Sequence, residues 1–207
     1  MATGRTEVTD SYAHERKASR GGIILALYAG ALLAGSIFLP WWRMECRAPQ
    51  YGARVLIVEV TPGATSGDTK EIDNLGHYVG MRSMNTFARI ERVLGPYMLG
   101  LAALVTFSIP FLPRRWMRLA AVLAIVLVPL LFAIDLYAWQ KYAAKNLDPT
   151  AALSMIQDRI QTKLVGKYSV AQFNVKATFQ EGFWLSAIAA LNVLGFLYVE
   201  KERRSEP

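Results

Sequence analysis

The chain has 207 residues, of which 53% are hydrophobic, and its formal net charge is +7. Its mean hydropathy is positive, at +0.24, and the apolar residues are gathered into long runs, which argues against a soluble globular domain. One cysteine rules out an intramolecular disulfide. Basic residues beside apolar runs have an ordinary role next to anionic lipid, so the charge does not indicate nucleic-acid binding.

Four apolar runs, residues 22–42, 94–112, 117–138 and 183–199, approach the roughly 20 residues that a helix needs to cross a bilayer. We therefore expect four transmembrane helices. The first run is too long for a cleaved signal peptide and ends in Pro40, Trp41 and Trp42 rather than in small residues. It is interpreted as an uncleaved anchor, with the tryptophans at the headgroup level.

The distribution of basic residues predicts the orientation of the helices. Lysine and arginine are densest in the tails, residues 1–21 and 200–207, and around the short link, residues 113–116. They are sparser in the two long loops, residues 43–93 and 139–182. The positive-inside rule then places both termini in the cytoplasm and both long loops outside.

The first long loop contains one predicted strand and one predicted turn. Residues 54–60 are rich in β-branched side chains, which favours a strand. In the stretch IDNLGHYVGM, residues 72–81, His77 and Met81 are four apart and would share one face of a helix, but Gly76 and Gly80 favour a turn. Residues from Met84 onward have helical spacing and predict an amphipathic lead into the second transmembrane helix.

The second long loop predicts one helix and one strand. Asp148 and Pro149 fit the start of a helix, and a stripe with helical spacing follows at Leu153, Ile156, Ile160 and Leu164. Residues 173–180 alternate apolar and polar side chains, as a strand does. If this strand pairs with residues 54–60, the two loops form a small exterior α/β cap on a membrane four-helix bundle.

Three residues inside the apolar runs stand out. Pro110 and Pro129 are predicted to kink the second and third helices or to mark a backbone irregularity there. Asp135, near the outer end of the third helix, is either an interfacial residue or a functional acid.

The first loop gathers the soft metal donors of the chain. Met44, Cys46, His77, Met81 and Met84 all lie there, and the mixture of thioether, thiol and imidazole suits copper(I) better than magnesium or calcium. An alternative without metal stays open. In it Asp73 or Asn74 caps a turn, His77 bonds to backbone, the methionines pack on the helices, and Cys46 is a small buried residue.

Enzyme signatures are missing from the sequence. It contains no phosphate-binding glycine loop, no metalloprotease helix and no paired-cysteine motif. His77 is the single histidine expected outside the membrane. We therefore expect a protein without catalytic residues.

The stretches APQY, residues 48–51, and EIDNLGHYVGM, residues 71–81, resemble those of small four-helix membrane proteins from bacterial nitrous-oxide-reductase gene clusters. VGKYSVAQFNV, residues 165–175, is similar to the second-loop pattern of that family. The resemblance implies a multi-pass protein of the bacterial inner membrane with periplasmic loops. It also implies an accessory role in copper delivery to, or maturation of, a periplasmic copper enzyme, with a copper chaperone or the enzyme itself as partner.

His77 and Met81 match the histidine and methionine of that family, whereas Cys46 has no matching position. Gly52 and Gly76 replace residues that are often proline and asparagine there, which changes the expected turn geometry. His77 and Met81 are thus the leading candidate copper ligands, with Met84 or Cys46 as a third.

Two other functions remain open. The amphipathic stripe of the second loop would suit a structural subunit of a larger membrane complex, without a metal of its own. A redox or quinone-linked component ranks last because no haem-attachment motif is present. The layout is also loosely similar to that of claudin-like four-helix proteins, although the second cysteine of that pattern is absent.

Overall fold

The computed structural model describes residues 19–152, 155, 162–170 and 172–205. The five helices in this part of the chain are α1 (Arg20–Ser36), α2 (Thr69–Val79), α3 (Arg89–Ser108), α4 (Arg115–Lys145) and α5 (Glu181–Ser205). The five strands are β1 (Trp42–Arg47), β2 (Leu56–Val60), β3 (Thr65–Gly67), β4 (Gly166–Val170) and β5 (Phe173–Phe179). The strands and α2 together are called the cap.

The four longer helices form a bundle in which α1 lies mainly against α5 and α3, while α4 lies mainly against α5. At one end of this bundle, Glu200 of α5 accepts a hydrogen bond of 2.7 Å from the backbone N–H of Ser19. Its other carboxylate oxygen lies 3.7 Å from the guanidinium of Arg118 on α4, and both side chains are largely buried. The start of α1 and the end of α5 therefore meet at the same end of the bundle.

Among the described residues, three helical segments are long and apolar enough to cross a membrane: Arg89–Phe111, Arg115–Lys145 and Glu181–Glu202. The first helix is shorter than the span predicted over residues 22–42. It ends at Ser36 and is a shorter apolar helix. The chain then turns and starts β1 at Trp42. A run of apolar residues does not show where a helix gives way to a buried strand.

The two tryptophans after α1 are buried in the protein rather than exposed on its surface, and their predicted headgroup level stays a prediction. Trp41 is 1% exposed and packs edge-on against Phe132 of α4, with ring centroids 4.8 Å apart. Trp42 is 3% exposed, and its indole N–H donates to the carbonyl oxygen of Leu164 at 2.7 Å. One indole belongs to the helical core and the other to the cap.

The sheet is antiparallel, with strand order β3-β2-β1-β5-β4. The two predicted strands, residues 54–60 and 173–180, form β2 and β5 and share this sheet. Their predicted direct pairing is wrong, because β1 lies between them and pairs with both. The strand WRMECR was missed because it directly follows an apolar run.

The two faces of the sheet differ in polarity. On the inner face, cross-strand pairing aligns Leu56, Cys46, Val175 and Tyr168 in one row. On the outer face, Arg43 pairs with Glu59 and Glu45 with Lys176, both directly opposite in register and both in ion pairs. The apolar inner face must be covered by other parts of the protein.

Helix α2 covers part of that inner face and corrects the turn predicted at residues 72–81. Leu75 and Val79 are buried against the sheet, and their stripe with Ile72 has helical spacing. The helix ends where Gly80 takes a left-handed conformation, with φ of 87°. The N–H of Gly80 bonds to His77 O and that of Met81 to Gly76 O, as in a Schellman turn.

The remaining predicted elements have mixed outcomes. Pro129 lies inside α4, whereas Pro110 lies in a short 3-10 turn after α3 rather than inside a helix. Asp148 accepts hydrogen bonds from Thr150 in a turn. The predicted helix along Leu153, Ile156, Ile160 and Leu164 lies mostly outside the described residues.

Candidate functional site

A large apolar cavity lies beneath the cap. It has a volume of about 900 Å³ and is enclosed by the inner face of the sheet, by α2, and by the facing sides of α3 and α4. Exposed side chains of α3 and α4 continue its wall to the molecular surface: Ile90, Leu94, Met98, Leu101, Leu127 and Leu131. This volume is within the range of small-molecule binding sites.

Cys46 lies at the sheet wall of this cavity. Its side chain is 4% exposed and packs in the cap core with Leu56 and Val175. Burial raises the pKa of the Cys46 thiol, so that it stays protonated at neutral pH. Tyr168, in the same cross-strand row, has its pKa raised to about 12 by burial and by its proximity to Cys46.

Three of the candidate sulfur ligands besides Cys46 line the same cavity. Met44 is two residues from Cys46 on the same face of β1, and the Tyr168 hydroxyl approaches its sulfur at 4.0 Å. Met81 and Met84 lie on the segment between α2 and α3. The structure therefore places all four candidate sulfur ligands on the wall of one cavity, which Met98 of α3 also lines.

His77 lies outside that cavity, on a neighbouring polar cleft of about 1420 Å³. It occupies the last turn of α2 and is exposed. Hydrogen bonds from Thr150 lower the pKa of Asp148, and the charge of His77 acts in the same direction. His77 and Asp148 line the same cleft, and the backbone N–H of Asp148 bonds to Gly80 O at 2.9 Å.

The segment that carries Met81 and Met84 is held by Asp73 of α2. One carboxylate oxygen of Asp73 accepts from the backbone N–H of Met84 at 2.8 Å, and the other accepts from the Ser83 hydroxyl. This is the capped turn of the metal-free alternative. His77 and Met81 do not share a helical face, because Gly80 redirects the chain between them.

The apolar cavity and the polar cleft meet at a common wall. The residues that line both are Met81, Arg82, Phe87, Glu91, Asp135 and Trp139. Asp135 lies beside the Trp139 side chain and near Glu91. Asp135 thus lines both openings, and both alternatives for it, interfacial residue and functional acid, stay predictions.

Two polar side chains of the apolar cavity lack partners. The side-chain nitrogen and oxygen of Gln140 and the hydroxyl of Thr162 are shielded from solvent and form no hydrogen bond with any described residue. Buried polar groups in proteins are nearly always hydrogen-bonded. Gln140 was not a candidate in the sequence, because α4 runs on to Lys145, beyond the predicted end of its span at residue 138.

In the described part of the chain, no three histidine, cysteine, aspartate or glutamate side chains form a group that could hold a metal ion. The candidate ligands are thus one imidazole and a set of thioethers, with Cys46 buried behind them. Thioether sulfur suits copper(I) and few other biological ions.

Three helical segments long and apolar enough to span a membrane, together with a small antiparallel sheet, are consistent with the class of helical membrane proteins. Neither comparison of the sequence with models of known protein families nor comparison with curated proteins gives a match. The resemblance to proteins of nitrous-oxide-reductase gene clusters stays a prediction.

Proposed function

We propose that this chain is an accessory protein of the bacterial inner membrane whose exterior cap handles copper(I), or docks a copper-handling partner, during maturation of a periplasmic copper enzyme of the nitrous-oxide-reductase type. In this proposal α1, α3, α4 and α5 all span the membrane, both termini are cytoplasmic, and the cap is periplasmic. The protein itself has no catalytic residues.

The observation that carries the proposal is the position of Met81. Met81 lines both the polar cleft that holds His77 and the apolar cavity that holds Met44 and Met84. An ion that enters through the exposed cleft would meet imidazole first and thioether sulfur next. Such mixed soft donors favour copper(I).

The candidate ligands do not fit the ion equally well. His77 is exposed, and Met81 and Met84 are partly exposed, so these three can reach an ion without unfolding the cap. Cys46 would have to lose a proton that its burial retains, since metals bind the thiolate. We therefore rank His77 and Met81 first, Met84 third and Cys46 last.

Copper(I) competition titrations on the detergent-solubilised chain test this assignment. His77→Ala and Met81→Ala should each weaken binding about tenfold or more, in line with loss of one ligand of a small set. Met155→Leu is the matched control, because this methionine is 93% exposed and lies in the second loop. Unchanged affinity in both alanine variants would overturn the copper site.

A second function is favoured by the hydrogen bonds of Asp73. They account for the shape of the segment from Gly80 to Met84 without any ion, so the cap could serve as a structural docking surface in a larger membrane complex. The same titrations separate the two functions. A cap that only docks binds no copper at its methionines.

A further inference from the structure

Three aromatic side chains meet on the wall of the polar cleft. Trp139 and Tyr142 lie three residues apart on α4, and Phe87 comes from the segment before α3. The ring plane of Tyr142 stands at 81° to that of Trp139 and at 82° to that of Phe87. Each pair of ring centroids is between 5.7 and 6.4 Å apart. These three residues are called the aromatic corner.

The aromatic corner is fixed by contacts within the chain. Trp139 and Tyr142 are neighbours on one side of α4, as residues three apart on a helix are. The carbonyl oxygen of Phe87 accepts a hydrogen bond from the guanidinium of Arg92, which also donates to the carbonyl oxygen of Met84 at 2.8 Å. The rings are therefore in place before a ligand arrives, which lowers the ordering cost of binding.

The cleft around the aromatic corner carries an excess of negative charge. Among the described residues of its wall, the carboxylates belong to Glu91, Asp135 and Asp148, whereas Arg82 is the one arginine or lysine. His77 adds one positive charge when it is protonated, and the carboxylates are still in excess. A cation is therefore favoured over an anion in this cleft.

No cation of the described residues lies over the aromatic corner. A cation does lie over another ring of α4, because the ammonium of Lys141 is 5.5 Å from the ring centroid of Tyr137. A ring face attracts a cation that comes within about 6 Å of its centroid. It accepts no strong directed hydrogen bond, so it suits a cation covered by methyl groups better than one whose N–H groups must give up water.

We propose that the polar cleft binds a quaternary ammonium group of the choline type in the aromatic corner. Its methyl groups contact the three rings, and its charge is balanced by Asp135, which lies beside Trp139, and by Glu91 close to it. The group can come from free choline or from the headgroup of phosphatidylcholine, since both carry the same trimethylammonium. This ligand goes beyond the proposed function and requires no copper.

Calorimetric titration of the full chain in dodecyl maltoside, with a copper chelator present, tests the proposal. Choline is compared with dimethylbutanol, the uncharged compound in which carbon replaces the nitrogen. We expect one choline per chain, bound about tenfold or more tightly than the alcohol. Ethanolamine, a primary ammonium, should bind more weakly than choline. No binding of choline, equal binding of the alcohol, or tighter binding of ethanolamine would overturn the proposal, and this comparison needs no variant.

Variants at Tyr142 separate the ring from its hydroxyl. Tyr142→Leu should weaken choline binding about fivefold or more, whereas Tyr142→Phe keeps the ring face and should retain the affinity. Tyr137→Leu is the matched control, because Tyr137 lies on the same helix outside the cleft and is 46% exposed, against 43% for Tyr142. Retained affinity in Tyr142→Leu, or an equal loss in Tyr137→Leu, would contradict the aromatic corner.

Two bilayer compositions distinguish the sources of the trimethylammonium group. Nanodiscs of phosphatidylglycerol offer no such headgroup, so the wild type should bind added choline there. In nanodiscs of phosphatidylcholine, a headgroup already in the cleft blocks added choline, whereas a site for the free cation binds choline equally in both. Absence of choline binding in both compositions would overturn the proposal.

Failure of this site and failure of the copper site are distinguishable. The choline titrations contain a copper chelator, and Tyr142 is not a candidate copper ligand. His77→Ala and Met81→Ala, which test the copper site, should keep choline binding because neither residue belongs to the aromatic corner. Loss of choline binding in both of these variants would contradict a ligand held by the rings.

Discussion

Tyr168 shows how a single residue of the cap core responds to its surroundings. It shares a cross-strand row with Cys46 and Val175, and its hydroxyl points toward the sulfur of Met44. Burial raises its pKa to about 12, from an ordinary value of about 10. The neutral phenol is therefore favoured in the folded state.

This shift makes the cap sensitive to alkaline pH. A pKa that is higher in the folded than in the unfolded state gives a stability contribution that is complete below pH 10 and is lost as pH rises toward 12. Near pH 12 the loss should amount to about 2 kcal/mol of unfolding free energy. Tyr168→Phe should therefore lose less stability over this pH range than the wild type.

Denaturant titrations at several pH values, followed by tryptophan fluorescence, measure this difference. Tyr78→Phe, at an exposed tyrosine of α2, is the matched control and should retain the alkaline loss. Identical pH profiles for wild type and Tyr168→Phe would mean that the phenol is not buried as described.

At the scale of elements, the sequence predicted β2 and β5 from β-branched residues and alternation, but it left the central strand β1 unrecognised. The signal was present, because Trp42, Met44 and Cys46 alternate with charged residues in WRMECR. Hydropathy alone merged Trp42 with the preceding helix. A boundary set by burial of two indoles inside the protein depends on tertiary contacts that no local pattern contains.

Helix α2 and the site around it were harder to predict. Gly76 and Gly80 suggested a turn, and only Gly80 acts as one, by ending the helix. His77 lines the polar cleft, whereas Cys46 lines the apolar cavity. This difference follows from the end of α2 at Gly80 and from the register of the sheet. Sequence spacing therefore identified the candidate donors but could not say which of them share a cavity.

The contact between α3 and the loop before β3 gives a prediction at the element scale. A methyl group added at Gly95 would overlap the backbone carbonyl oxygen of Pro62, whereas one added at Gly100 meets no atom within 4 Å. Glycine to alanine inside a helix normally stabilises it by about 0.5–1 kcal/mol. Gly95→Ala should instead destabilise the protein by roughly 1–3 kcal/mol.

Thermal unfolding in detergent compares the two substitutions directly. Gly100→Ala is the control on the same helix and should be neutral or stabilising. If both variants had equal or higher melting temperatures than the wild type, α3 would not press against the cap at Gly95.

At the scale of the whole molecule, the meeting of Ser19 with Glu200 brings the start of α1 and the end of α5 together. The even number of crossings that the distribution of basic residues predicts stays a prediction. Hydropathy did predict apolar helices long enough to cross a membrane, and three are present among the described residues. The cavity at the base of the cap depends on how α3 and α4 are placed relative to each other. Neither the periodicity nor the charge pattern of the sequence specifies that placement.

The proposed topology predicts the behaviour of C-terminal fusions expressed in bacteria. A green fluorescent protein after Pro207 should fluoresce, because it would remain in the cytoplasm. Alkaline phosphatase at the same position should be inactive, since it requires export. Active phosphatase and no fluorescence would contradict cytoplasmic termini.

The central position of β1 has a consequence for biosynthesis. One of its neighbours, β2, follows within the same loop, but the other, β5, is made only near the end of the chain. Until the ribosome has synthesised β5, one edge of β1 has no partner strand and is open to pairing with other chains. The cap must therefore be completed last, and a chain truncated before β5 would leave an unfinished sheet for quality-control proteases to recognise.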